Sequence, residues 1–281
     1  MIQLERDEYQ RVRPPAGQMH LSLALDAMAV GNSPALVWVD DRAQPSAAYV
    51  WDEAHCHFLL GDASTPAFAR TVRELVRQEI APQMVAHGKA FLKVHYSSDD
   101  WEEQIGSIFE TAELVRRARV FYALEHLAKP DWRASIPGGF SVRQIDSELL
   151  AAKRLRGIEI LRNEIQTGWY SLEDFLHTGF GYCLLRENEI VTWCTAEYVS
   201  AGKCGIGIET AVEHMRRGFA TITASAFVEH ALEKGLTPHW DSWKMNLPSV
   251  AVAHKVGFRL ISEYAVFTGR FQAPKVETSS L

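Results

Sequence analysis

No stretch of this chain approaches the run of about 18 apolar residues that a membrane-crossing helix needs, so no membrane partner is expected. Cysteine is sparse: Cys56, Cys183, Cys194 and Cys204 are scattered without a C-x-x-C pair. That spacing argues against a zinc knuckle and a disulfide framework, and leaves reduced core thiols and no bound metal as the expectation. Basic residues are not in excess, with 29 Lys and Arg against 35 Asp and Glu for a net charge of −6, which disfavours a nucleic-acid partner. The opening MIQLERDEYQ lacks the basic-then-apolar order of a signal peptide, so a cytoplasmic protein is expected. G-x-S-x-G and G-x-x-x-x-G-K are both missing, which leaves serine hydrolases and P-loop NTPases without a foothold.

What is present is 281 residues with 47% apolar composition, enough for two domains of ordinary size. The most informative stretch runs from Gly205 to Phe258. An apolar segment with inset glycines, Gly205 to Thr210, leads through a short polar loop to Arg216, Arg217 and Gly218. A helix then reads from Phe219 to Lys234 and stops at Gly235. The first N–H groups of a helix have no internal partner and carry partial positive charge, so a diphosphate can dock on them. Gly218 permits close approach, and the two arginines add fork-like donors suited to phosphate oxygens.

These residues resemble the GNAT acyl-CoA N-acyltransferases, whose signature is Gln or Arg, two residues, Gly, one residue, then Gly or Ala, between the fourth strand and third helix. Gly218 and Ala220 fit it, while the first position falls on Met215. A second family segment, Asn followed by a short helix ending in Gly-Phe, is matched by Asn246, Ser249, Lys255, Gly257 and Phe258. The pairing of GIGIET with N-x-x-S-x-x-x-A-x-K-x-G-F looks most like the zwittermicin A resistance type. The resemblance covers roughly Phe140 to Phe271.

The resemblance implies acetyl-CoA as acyl donor and a primary amine of a small molecule as acceptor. It places Ile206 and Ile208 against the pantetheine through their main chain. Arg216, Arg217, Gly218, Phe219, Ala220 and Thr221 would cradle the pyrophosphate, with Asn246 and Ser249 beside the pantetheine arm. Transfer needs a base for the amine proton. Glu209, on the Gly207 face of its strand, is the first candidate, and Glu197 on the neighbouring strand is the reserve. The tyrosine that often serves as acid, seven residues after the Asn, is Ala253 here, leaving His254, Tyr264 or water. Because Met215 and Ala253 both depart from the pattern, a non-catalytic acyl-CoA sensor stays open beside the enzyme, as does transfer to a protein amine. A homodimer is compatible with either.

Pro130, Pro137, Gly138 and Gly139 mark a linker and divide the chain into 1–130 and 131–281. The second part reads strand Phe140–Ile145, helix Ser147–Gln166, strands Gly181–Arg186, Glu189–Tyr198 and Gly205–Thr210, the Phe219 helix, strand Pro238–Lys244, helix Ser249–Val256, and a closing strand or hairpin Arg259–Phe271. The first part echoes that order with strands at 35–39, 47–51 and 55–60, a helix from Pro66 to about Ile80, strand Ala90–Tyr96, helix Asp100–Phe109 and strand Arg119–Leu124. Asp62 stands where a basic turn would be wanted. The expected fold is therefore α/β (α+β), a mixed, mostly antiparallel central sheet flanked by helices, in two tandem GNAT-like domains of which the first is degenerate and without cofactor, with an unrelated α/β cap domain as the alternative for that first part. His55 and His57 share one strand face and read as an edge strand meeting water. Trp240 and Trp243, flanking Asp241, line an amine pocket or fill core.

Overall fold

Short runs of aliphatic and aromatic residues, bounded by polar turns, set most strands where the pattern places them. The computed structural model describes residues 1–200 and 202–272, and the chain divides into two compact units. The first takes Met1–Ser22, Ala35–Arg117 and the residues from Ala265 onward; the second takes Leu23–Pro34 and Ala118–Tyr264. These units differ from the contiguous halves 1–130 and 131–281. Helix α1 (Met19–Ala29) and strands β6 (Val115–Leu124) and β12 (Phe258–Arg270) each begin in one unit and end in the other. Nor does residues 129–139 act as a free linker. Trp132 is buried with Phe219, Ile222 and Ala226, and Arg133 pairs with Glu229 at 2.6 Å. Among the described residues no helix is long and apolar enough to cross a membrane.

In the first unit the strand order is β1 (Ile2–Gln3), β2 (Leu36–Val39), β3 (Ala47–Trp51), β4 (Cys56–Gly61), β5 (Phe91–Tyr96) and then the Phe267–Arg270 end of β12. All pairs are antiparallel except β4 with β5. Helix α2 (Pro66–Leu75) opens with proline in its first turn, where the missing N–H costs nothing. It runs on through one wide turn, Val76–Ile80, into α3 (Ala81–Ala86), so the helix is longer than expected. With α4 (Glu102–Ile108) these helices bury Phe68, Val72, Val76, Trp101 and Ile105.

His57 corrects the sequence reading, because β4 is an interior strand and the ring is fully buried. Its Nδ1 meets the Tyr49 hydroxyl at 2.7 Å, and burial pushes its pKa down to about 3, which keeps it neutral. Nearby, the Asp52 carboxylate accepts from the Ala54 and Cys56 N–H groups at 2.9 and 2.8 Å. Burial nevertheless raises its pKa to about 8. An aspartate whose folded pKa lies above its unfolded value of about 3.9 contributes stability in full below about pH 4, and that contribution is lost as pH climbs through about 8. Asp52→Asn keeps an acceptor oxygen and removes the charge. It should leave the urea midpoint unchanged at pH 4 and stabilise the protein by at least ~2 kcal/mol at pH 9, which paired urea titrations will measure.

The second unit orders its strands β7 (Phe140–Gln144), β8 (Gly181–Arg186), β9 (Glu189–Ser200), β10 (Lys203–Thr210), β11 (Thr237–Trp243) and β6. Only β10 and β11 run parallel. This is the expected mixed, mostly antiparallel sheet flanked by helices. The long helix expected over 147–166 is broken into α5 (Ser147–Ala151) and α6 (Ile158–Gly168). Arg162 causes the break to hold: its guanidinium donates to the Leu150 and Ala152 carbonyls that α5 leaves unpaired. Helix α7 (Leu172–Thr178), capped by Ser171 on the Asp174 N–H, was not anticipated. The closing segment is the single long strand β12 and forms no hairpin.

Helix α8 (Phe219–Glu233) packs across β8, β9, β10 and β11. It ends where Gly235, at φ +71°, lets its N–H reach Leu232 and the Leu236 N–H reach Ala231, a paired cap on the last carbonyls. Helix α9 (Leu247–Val256) ends on Gly257 at φ +113°. A Cβ there would stand 1.9 Å from the His126 carbonyl oxygen. Gly257→Ala should therefore destabilise the second unit by about 3 kcal/mol or more, read as a large fall in Tm.

Candidate functional site

Two parallel strands part company at the centre of the second unit. Strand β10 pairs with β11 only over Lys203↔Thr237, Cys204↔Pro238 and Gly205↔His239. Beyond that, β10 continues to Thr210 on β9 alone while β11 continues to Trp243 on β6. The Ala211 N–H bonds Val191 O, and the β9 register carries that alternation back through Glu209, Gly207 and Gly205. By strand geometry the N–H and C=O groups of Ile208 and Thr210 and the C=O of Ile206 face away from β9 and into the gap, while the Gly205↔His239 pairing engages the Ile206 N–H on β11.

The two faces of this gap differ in chemistry. The Tyr182 hydroxyl lies 3.1 Å from His230 of α8, and the pairs Tyr182↔Cys194 and Cys194↔Ile208 put Ile208 and Ile206 on that apolar side. Trp240 joins them, its Nε1 donating to Ser249 Oγ of α9 at 3.0 Å. Gly205, Gly207 and Glu209 look the other way, with His239, Asp241 and Trp243 on β11. An ideal Cβ at Gly207 would stand 2.3 Å from Glu197 Oε1 and 3.0 Å from Thr195 Oγ1, so the Glu197 carboxylate lies directly over this glycine. Leu23 from the N-terminal part of the chain reaches the same face, 3.4 Å from where a Gly205 side chain would begin. Lys203 pairs there with Asp26 at 2.6 Å.

At the far end of β10 the loop turns sharply into α8. Arg216 and Gly218 both take the left-handed conformation, at φ +61° and +82°. Gly218 is the N-cap, no side chain caps the helix, and a Cβ added there would meet nothing within 4 Å. The Thr221 N–H turns back to Gly218 O, while Phe219 is buried against Phe140 with ring centroids 4.8 Å apart. Arg217 is fastened beside this start, 4.8 Å over the Phe219 ring and 3.2 Å from His214 Nδ1. Arg216 is exposed. The helix N-terminus thus presents backbone donors, two cations and open space together. In the first unit, by contrast, β4 and β5 stay paired from Cys56 to Leu59, and Ser97 Oγ accepts from the Gly61 N–H.

Asn246 caps α9 by accepting from the Ser249 N–H at 3.3 Å, and its side chain is exposed. Glu209 is also exposed and opens into a cavity of about 290 Å³. His254 is exposed on α9 with its ring edge-on to Tyr122, 5.3 Å between centroids. Tyr264 donates to Asp241 at 2.5 Å and accepts from Arg119 at 3.1 Å. Burial and the neighbouring Asp241 carboxylate push its pKa well up, so it is a poorer acid than an ordinary tyrosine. Burial alone would lower the Arg119 pKa, but Asp241 and Tyr264 more than offset it and keep the guanidinium charged. The guanidinium lies 4.4 Å over Trp243, which places that ring in a packed cation stack, while Trp240 is core. Sequence reasoning missed this Arg119–Asp241–Tyr264 network, whose members are 122 and 23 residues apart along the chain.

Among the described residues, two groups bring metal-ligand atoms within 4.8 Å: Asp52, His55 and Cys56, and Glu189, Glu213 and His214. In the first, two backbone N–H groups take up the carboxylate; in the second, Arg156 pairs with both glutamates. All four cysteines are buried thiols outside any disulfide, and burial raises the Cys204 thiol to about 12, which makes that group a poor nucleophile.

The chain is 25% identical over 235 residues to the uncharacterized N-acetyltransferase YdfB of Bacillus subtilis (strain 168), covering 83% of this chain and 85% of that one. Its fold matches the crystal structure of a GCN5-related N-acetyltransferase-like protein from Streptococcus suis 89/1591, with a TM-score of 0.69, 20% identity, and 94% and 98% of the two chains covered. It also matches a tandem GNAT protein from the clavulanic acid biosynthesis pathway, with a TM-score of 0.57, 14% identity, and 95% and 93% coverage. The model of the GNAT acetyltransferases aligns with residues 19–267, nearly the whole length that carries the gap, the glycine-capped helix and the strands around them. The chain belongs to the GNAT acetyltransferase family.

Proposed function

We propose that the second unit seats acetyl-CoA between β10 and β11 and passes its acetyl group directly to a primary amine of a small molecule. The observation that carries this is the parting of β10 from β11 after Gly205, immediately before an uncapped, glycine-led helix N-terminus. A diphosphate would take the N–H groups of Gly218, Phe219 and Ala220, with Arg216 and Arg217 flanking it. The main-chain groups of Ile206 and Ile208 would pair with pantetheine amides and hold the carbonyl oxygen as negative charge develops on it. Asn246 and Ser249 lie at the start of α9 on the apolar side of the gap, where they would border the pantetheine arm.

In this reading Glu197 accepts the amine proton, directly or through a water, because its carboxylate lies over Gly207 at the gap. Glu209, two residues further along the same face, belongs to the cavity beyond. The amine nitrogen forms its bond to the carbonyl carbon as the carbon–sulfur bond breaks, and the thiolate takes its proton from water. A thiol with an ordinary pKa of about 8.5 leaves without a dedicated acid, which suits a site where Ala253 stands in the usual tyrosine position. The motif pairing that looks like the zwittermicin A type supports an amine-bearing antibiotic or metabolite as acceptor. The continuous β4–β5 pairing in the first unit supports a cofactor seat in the second unit alone.

The test is thiol release from acetyl-CoA in the presence of a panel of small primary amines and, separately, of peptides with free N-termini. Release that depends on a small amine supports the reading. Release with peptides alone would make this a protein acetyltransferase, and binding without any release would make it an acyl-CoA sensor.

A further inference from the structure

The cavity of about 290 Å³ beside Glu209 is not used by the transfer chemistry above. Its floor is apolar, from Val191 and Trp193, and its rim carries the exposed Ile160 with Glu189, Glu209, Glu213 and one cation, Arg156. Arg156 is already committed to Glu189 and, at 2.8 Å, to Glu213. Among the described residues Glu209 has no ion pair, so the cavity presents net negative charge with one carboxylate open to a ligand. Glu189 lies 3.4 Å from His214 Nε2, and its pKa is lowered: burial opposes the shift, and Arg156 and His214 prevail. It therefore stays ionised. Glu209 and Gly207 lie two residues apart on one strand face, so the open carboxylate sits roughly 6–7 Å along β10 from the seat of Glu197.

We propose that this cavity reads a second positive charge on the acceptor. The substrate class is then a small molecule with two amino groups joined by a short apolar stretch. One nitrogen reacts over Gly207 while the other, as an ammonium, is held by Glu209 with the linking carbons on Trp193. The inference rests on the acetyl-transfer reading for its meaning, but its binding can be measured without transfer.

The experiment is titration calorimetry of spermidine, cadaverine and pentylamine into the full-length protein saturated with CoA, in the wild type and in Glu209→Gln, with Tm as the control for folding. The expected result is binding of the two polyamines at least tenfold tighter than that of pentylamine, with most of that preference lost in Glu209→Gln. Equal affinities for cadaverine and pentylamine, or a polyamine affinity indifferent to the substitution, would overturn the inference. If Glu209→Gln fails to fold, Trp193→Leu should weaken all three amines together, and an unchanged affinity there would count against the cavity. Tight polyamine binding with no thiol release would leave the cation site standing and sink the transfer reading instead.

Discussion

Gly218→Asp is expected to weaken acetyl-CoA binding at least 100-fold while leaving the protein folded. The added carboxylate would stand where the pyrophosphate must lie. Two unit charges about 5 Å apart at an effective dielectric near 20 repel by about 3 kcal/mol, which is more than two decades in affinity. The fold has little reason to object. A Cβ at this position meets nothing within 4 Å, and the φ of +82° is one that aspartate tolerates better than most residues. Aspartate is also a favoured N-cap, so the start of α8 gains what the backbone loses. The readout is the rise in Tm that saturating acetyl-CoA gives the wild type, which should vanish in the variant. A variant that keeps the rise would move the diphosphate away from α8.

Glu197→Gln should lower kcat by about 10²- to 10³-fold at neutral pH, the usual worth of a positioned general base, with acetyl-CoA affinity unchanged. The acidic limb of the kcat/KM profile should disappear with it. Glu209→Gln should act mainly on KM for the amine. The argument is positional: Gly207 has no side chain, and the Glu197 carboxylate occupies the space that a Cβ would fill, at the gap itself. A loss of kcat in Glu209→Gln with Glu197→Gln near normal would reverse the assignment.

The strand, turn and helix from Gly205 to Phe258 were legible because glycine punctuates them. Gly218, Gly235 and Gly257 each hold a left-handed conformation that marks a helix end, and Asn246 is a side-chain cap visible in sequence. Helix α1 was not legible because its residues are buried around most of its circumference and leave no polar stripe to reveal a period of 3.6. The break between α5 and α6 depends on Arg162 reaching back ten and twelve residues to bond carbonyls, which no local pattern shows. The proposal of Glu197 over Glu209 rests on register. Both lie on the same sheet face, and only the pairing of Glu197 with Gly205, beside Gly207, puts its carboxylate at the gap. The two compact units differ from a division near residue 130 for a similar reason. Segments of low local pattern, α1 and residues 129–139, find their partners far along the chain.

The most direct measurement is titration calorimetry of acetyl-CoA into the wild-type protein. The account predicts micromolar binding at one acetyl-CoA per chain, since β10 and β11 part beside Gly218 while β4 and β5 stay paired. No heat from a folded protein, or two equivalents per chain, would contradict it.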